Sequence, residues 1–124
     1  MKKLLLFSAL LIFFSSFGQD KSDDEVLFDE IQADPTSRSY FSAGLQKAKE
    51  NNHIAAIELY TKSIKNDRYF ALAYNARGAS KFHLKDYRGS LIDLNKAIIL
   101  QPEYGEAYFN RGLSKAYLSD NEAA

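Results

Sequence analysis

Apolar and small side chains along this chain recur with helical spacing. Between Ala73 and Leu84, the residues Tyr74, Gly78 and Phe82 stand at i, i+4 and i+8, on one stripe of a helix. Lys85-Asp86 interrupts the pattern, and Asp86 is a good N-cap for the segment that follows. From Tyr87 to Leu100 a second stripe carries Leu91, Leu94 and Ile98, with Ala97 beside them. Pro102 stops it, since proline lacks an N–H and disfavours helix in the residue before it. The interval between the two stripes is too short for anything but an antiparallel hairpin. Gly78 and Ala97 are small where the two helices must approach closely.

The unit then repeats. Ser39-Tyr40-Phe41-Ser42-Ala43-Gly44 aligns with Ala73-Tyr74-Asn75-Ala76-Arg77-Gly78 and with Ala107-Tyr108-Phe109-Asn110-Arg111-Gly112, at a constant step of 34 residues. The register holds without gaps through Lys47, Lys81 and Lys115, through Asn52, Asp86 and Asp120, and through Ala56, Ser90 and Ala124. The predicted fold class is therefore all-α, an α-solenoid of antiparallel helix pairs. Two full repeats cover residues 37–70 and 71–104, with a partial third at 105–124.

Upstream the pattern changes. Met1-Lys2-Lys3 is a short cationic head on an uncharged apolar run from Leu4 to Phe14, shorter than the roughly 20 residues a bilayer crossing takes. Small residues at Ser16 and Gly18 suit a signal peptidase, so residues 1–18 read as a cleaved secretory signal and Gln19 as the mature start. That reading predicts a periplasmic or secreted protein with no stable membrane anchor after cleavage. Residues 19–36 read as an acidic linker or a short capping helix. Ser22 and Glu25 have capping-box spacing, and Asp34-Pro35 closes the segment.

Composition adds mainly exclusions. The chain has no Cys, which rules out disulfides, Cys-zinc sites and thiol nucleophiles. Without residues 1–18 it carries 14 basic and 16 acidic residues, a near-neutral balance that exerts no long-range pull on nucleic acid or anionic lipid. His53 and His83 sit on different segments with no ligand spacing around either. There is no phosphate loop, nucleophile motif or His-Glu helix pair, so no enzyme activity, cofactor or metal is expected.

Tyr74, Arg77-Gly78, Lys81, Ser90, Leu94, Ala97 and Pro102 together resemble the tetratricopeptide repeat family. Residues 37–70 match at Tyr40, Gly44, Ala56, Tyr60 and Ser63, with Arg68 where Pro is usual. The third repeat matches at Tyr108, Gly112, Asp120 and Ala124. Arg77 and Arg111 replace the family's common Leu, and Lys47, Lys81 and Lys115 replace an aromatic; their stems are expected to cover the neighbouring helix while the charge reaches water.

The resemblance implies a right-handed superhelix whose first helices line a concave groove for a protein or peptide partner. Carried over, the groove residues are Arg38, Phe41, Leu45 and Lys49 in repeat one. Repeat two supplies Leu72, Asn75, Ala79, Phe82 and His83, and repeat three Glu106, Phe109, Asn110, Leu113 and Tyr117. Asn75 and Asn110 are expected to pair with an extended backbone. Phe41, Leu45 and Ala76 occupy places where chaperone-binding members carry a Lys and Asn clamp, which disfavours capture of a C-terminal carboxylate. Asp120 is expected to open another helix, and the halt at Asn121–Ala124 reads as a fragment of a longer protein. The function implied is an exported interaction scaffold, or else the sensing or dimerising front of a longer signalling protein or hydrolase.

Overall fold

A computed structural model of the chain describes residues 33–123, so the leader and most of the acidic segment lie outside the described residues. Five helices follow one another: α1 Pro35–Lys49, α2 His53–Asn66, α3 Ala71–His83, α4 Tyr87–Leu100 and α5 Gly105–Ala123. There is no strand among the described residues.

The ends of these helices are written in short-range chemistry. The Asp34 carboxylate accepts from the backbone N–H of Thr36 at 2.9 Å and of Ser37 at 3.2 Å, with Pro35 in the first helical turn. Asp34-Pro35 thus opens α1, while the acidic segment it was expected to close lies outside the described residues. Asn51 and Lys85, one period apart, both take left-handed backbone angles, φ 61° and 64°. Each is followed by a cap: Asn52 accepts from Ala55 N–H at 3.2 Å, and Asp86 from Gly89 N–H at 2.9 Å. A left-handed residue and then an Asx cap is the hairpin turn of this protein. The next equivalents, Ser119 and Asp120, do not turn. Helix α5 runs straight through them for 19 residues, so the helix expected to open at Asp120 is not formed.

The hairpins α1–α2 and α3–α4 stack, and α5 packs on α4. One continuous core carries Phe41, Tyr60, Phe70, Leu72, Ala73, Tyr74, Ala97 and Tyr104. Close approach depends on glycine. A Cβ on Gly44 would stand 2.5 Å from the Tyr60 ring, and one on Gly78 would stand 2.9 Å from Leu94 Cγ. Buried hydroxyls fill the remaining tight spots. Ser37 donates to Ser63 C=O at 2.7 Å and Ser63 donates to Ser37 C=O at 2.8 Å, while Ser90 and Ser114 meet at 2.8 Å.

Gly112 holds the same register position as Gly44 and Gly78, yet a Cβ there meets nothing within 4 Å. Gly112→Ala should therefore stabilise the fold by roughly 0.5–1 kcal/mol, the gain in helix propensity alone. Urea denaturation checks it, and a lower midpoint for the variant would contradict the open geometry.

Arg77 departs from its sequence reading. Its charge does not reach water: Nε and Nη2 grip the two Asp93 oxygens at 2.8 and 2.7 Å, and Nη1 donates to Thr61 at 3.2 Å. Lys81 joins the same carboxylate at 3.0 Å, and Asp93 is only 2% exposed. Burial without such partners would cost several kcal/mol, so the trio forms as a unit. Arg111 instead lies over the Tyr108 ring at 5.0 Å and donates to Asn95 at 3.1 Å. Lys47 pairs with Glu50 at 3.4 Å on the surface, as a solvated lysine should.

Candidate functional site

The first helices of the repeats, α1, α3 and α5, lie side by side and frame a cavity of about 430 Å³. Phe41, Leu45 and Lys49 enter it from α1, and Leu72, Asn75, Ala76, Ala79 and His83 from α3. Tyr104 and Glu106 close the third-repeat side, and Tyr60 and His53 come from α2. The lining mixes the buried Phe41, Tyr60 and Leu72 with the buried polar side chains Asn75 and Ser80, while Leu45, Lys49, His83 and Glu106 are exposed.

Of the residues read from sequence, Phe41, Leu45, Lys49, Leu72, Asn75, Ala79, His83 and Glu106 come together here. Arg38, Phe82, Phe109, Asn110, Leu113 and Tyr117 do not line the cavity. Phe82 is engaged elsewhere, edge-on to Tyr117 at 5.1 Å and tilted against Tyr87 at 5.5 Å. That ring cluster ties α3, α4 and α5 together at one end of the groove. Phe109 is 66% exposed on α5, beyond the cavity wall.

Asn75 also differs from expectation. It is buried, and its Nδ2 donates to Tyr104 Oη at 3.0 Å and to Glu106 Oε1 at 3.3 Å. Its Oδ1 accepts from Asn110 Nδ2 at 3.1 Å. Both amide protons are therefore committed, one to Tyr104 at the end of repeat two and one to Glu106 in repeat three, which satisfies a buried side chain. The pair staples repeat two to repeat three before any peptide backbone can claim it. Burial, with the Glu106 charge beside it, pushes the Tyr104 hydroxyl well above its ordinary range, so it stays protonated.

The residues that sequence reasoning missed are Tyr104, Ser80 and His53. His53, for which the sequence offered no role, is the first residue of α2. Its ring stacks on His83 with centroids 4.5 Å apart and 12° between planes. Nδ1 lies 3.1 Å from Ser80 Oγ, and Nε2 lies 3.1 Å from Asn51 Oδ1. Desolvation, and then the nearby His83, lowers the His53 pKa below 6.5.

A lowered folded-state value has a definite sign. The unfolded chain takes up the His53 proton first as pH falls through 6.5, so the stabilisation present above that pH is lost on acidification. Urea midpoints at pH 7.5 and 5.5 should therefore converge in His53→Asn relative to wild type. An unchanged difference between the two pH values would refute the assignment.

Among the described residues no three His, Cys, Asp or Glu side chains stand together to hold a metal ion. None of the described helices is long and apolar enough to cross a membrane.

No family model matches the chain. Over 86 residues it is 36% identical to RNA polymerase II-associated protein 3 of Xenopus tropicalis, covering 64% of this chain and 13% of that protein. It is 32% identical over 83 residues to the DNA polymerase interacting tetratricopeptide repeat-containing protein of 47 kDa of Drosophila melanogaster, covering 64% and 21%. The chain thus spans a small part of the length of these relatives. Among solved structures it is similar to the second tetratricopeptide domain of Spaghetti (RPAP3) bound to the HSP90 peptide SRMEEVD. That match has a TM-score of 0.68 and 28% identity, over 69% of this chain and 80% of that one. The 34-residue register, the stacked hairpins and these likenesses agree: residues 33–123 form an all-α solenoid of tetratricopeptide-repeat type.

Proposed function

We propose that this chain is an exported protein-interaction scaffold that holds an extended peptide, or a helix of a partner, in its concave groove, and that it performs no catalysis of its own. The observation that carries the reading is the cavity of about 430 Å³, whose walls come from all three repeats. Phe41, Tyr60 and Leu72 in its lining suit an apolar anchoring side chain, and Phe41, Leu45, Ala79 and His83 are the residues assigned to hold it. The similar domain of Spaghetti, bound to a peptide, supports the same use of the surface. In the relatives such an array is a small part of a longer chain, which favours a second form of the proposal: the groove as the recognition front of a larger signalling protein or hydrolase.

The acidic peptide SRMEEVD is not the ligand assigned to this groove. Phe41, Leu45 and Ala76 all line the cavity, at the places where carboxylate-binding members of the family carry Lys and Asn. Titration of the chain with a peptide panel, followed by amide NMR, tests the groove. Binding should move resonances around Leu45, Ala79 and His83, and Leu45→Asp should weaken it about tenfold with helicity unchanged. Shifts confined to Ile92 and Ile99, exposed on α4, would move the site to the opposite face and reject the reading.

Export rests on residues 1–18, with cleavage after Gly18 and a periplasmic or secreted product. N-terminal sequencing of the protein recovered from cells should find Gln19 first. An intact Met1 on a cytoplasmic chain would remove that part of the proposal.

A further inference from the structure

We infer that the groove is electrically polarised and selects a dipolar peptide, in which an apolar side chain is flanked by a basic residue that docks on Glu106 and an acidic residue that docks on Lys49. The inference rests on the groove reading and goes beyond it by fixing the charge pattern of the ligand.

Both charged groups line the cavity and lie in its first and third repeats. Lys49 is the last residue of α1, and Glu106 stands in the first turn of α5. Phe41, Tyr60 and Leu72 line the same cavity. The Glu106 carboxylate is already oriented, because buried Asn75 donates to Oε1 at 3.3 Å, which leaves the second oxygen to accept from a ligand. Three residues further along α5, and so on an adjacent part of its surface, the Phe109 ring is 66% exposed. A Lys or Arg stem can lie against that ring while its charged head reaches the carboxylate. A peptide of uniform sign gains at one end of the groove and is repelled at the other, whereas a dipolar one gains at both.

These positions also suit the helix ends, a cation at the C-terminus of α1 and an anion at the N-terminus of α5. Stability measurements therefore do not report the ligand role, and binding does.

The test is calorimetric titration of the chain with synthetic peptides that share a Leu-Phe core. One carries Lys on one flank and Asp on the other, one carries two acids, one carries two bases, and SRMEEVD serves as a natural acidic sequence. The dipolar peptide should bind about fivefold tighter than each uniform one, the scale of one partly exposed ion pair. Glu106→Gln should abolish its advantage over the two-acid peptide. Glu106→Lys should reverse the ranking in favour of acid, and Lys49→Glu in favour of base. Equal affinity for all four peptides, with perturbed groove residues, overturns the charge pattern and leaves the groove intact. Binding of none of them at the groove removes both readings.

Discussion

Asp93→Ala is expected to destabilise the fold by about 3 kcal/mol or more, the scale for removing one partner of a buried ion pair. The carboxylate is 2% exposed and serves two cations at once, Arg77 at 2.7 Å and Lys81 at 3.0 Å. The side chains of Arg77 and Lys81 are only 17% and 22% exposed. Without Asp93 they become two like charges one helical turn apart, facing a protein wall, with Thr61 the one remaining acceptor for Arg77. Hydrogen bonding to Asp93 is the main reason the Arg77 pKa is raised in the intact trio; without Asp93 that rise is lost, but the ordinary value of a guanidinium already lies far above neutral, so Arg77 keeps its charge. Against a typical domain stability of about 5–15 kcal/mol, the loss is a large fraction. Urea denaturation of wild type and variant measures it. A change below about 1 kcal/mol would mean that water already screens the trio.

Gly78→Val is expected to cost about 3 kcal/mol, at the upper end of overpacking penalties. The added Cβ would lie 2.9 Å from Leu94 Cγ, 3.1 Å from Leu94 Cδ2 and 3.2 Å from the Ser90 carbonyl oxygen. Leu94 is fully buried and cannot swing away, and Ser90 presents backbone. The α3–α4 hairpin must therefore open by a few tenths of an ångström or more, which loosens the seam that also carries the Ser90–Ser114 contact. Hydrogen exchange resolves where the cost falls, with amides of α3 and α4 losing protection before those of α1. Unchanged protection across the hairpin would show that the helices are not in close contact at Gly78.

The elements that were legible in sequence share one property: their cause lies within a few residues. Asp86 caps α4 and Pro102 follows its end because caps and proline act on their own backbone. Gly78 and Ala97 announced close helix approach because no other side chain fits there. The family resemblance then put Phe41, Leu45, Ala79 and His83 among the groove residues, and these four line the cavity.

What was illegible depends on contacts across the stack. Arg77 looked like a solvated replacement for Leu, because its partner Asp93 lies 16 residues on, in the next helix. The same separation links Arg77 to Thr61 and Arg111 to Asn95, so a recurring offset of 16 is the signal that could have found the pair. Asn75 was taken for a ligand-binding amide, but its partners lie far along the chain, Tyr104 at the end of its own repeat and Glu106 and Asn110 in the following one. His53 showed no role in the sequence because its stacking partner His83 is 30 residues away. The straight passage of α5 through Ser119 and Asp120 could not be read from register at all.

The central claim is that successive repeats stack so as to close one groove. Inter-repeat NOEs in solution test it most directly, above all between the rings of His53 and His83 and between the side-chain amides of Asn75 and Asn110. The stacked groove predicts cross-peaks at both places, since the imidazole centroids are 4.5 Å apart and Asn110 Nδ2 lies 3.1 Å from Asn75 Oδ1. Cross-peaks within each hairpin, with none at either of these two sites, would mean that the hairpins form without stacking, and the groove with everything assigned to it would be lost.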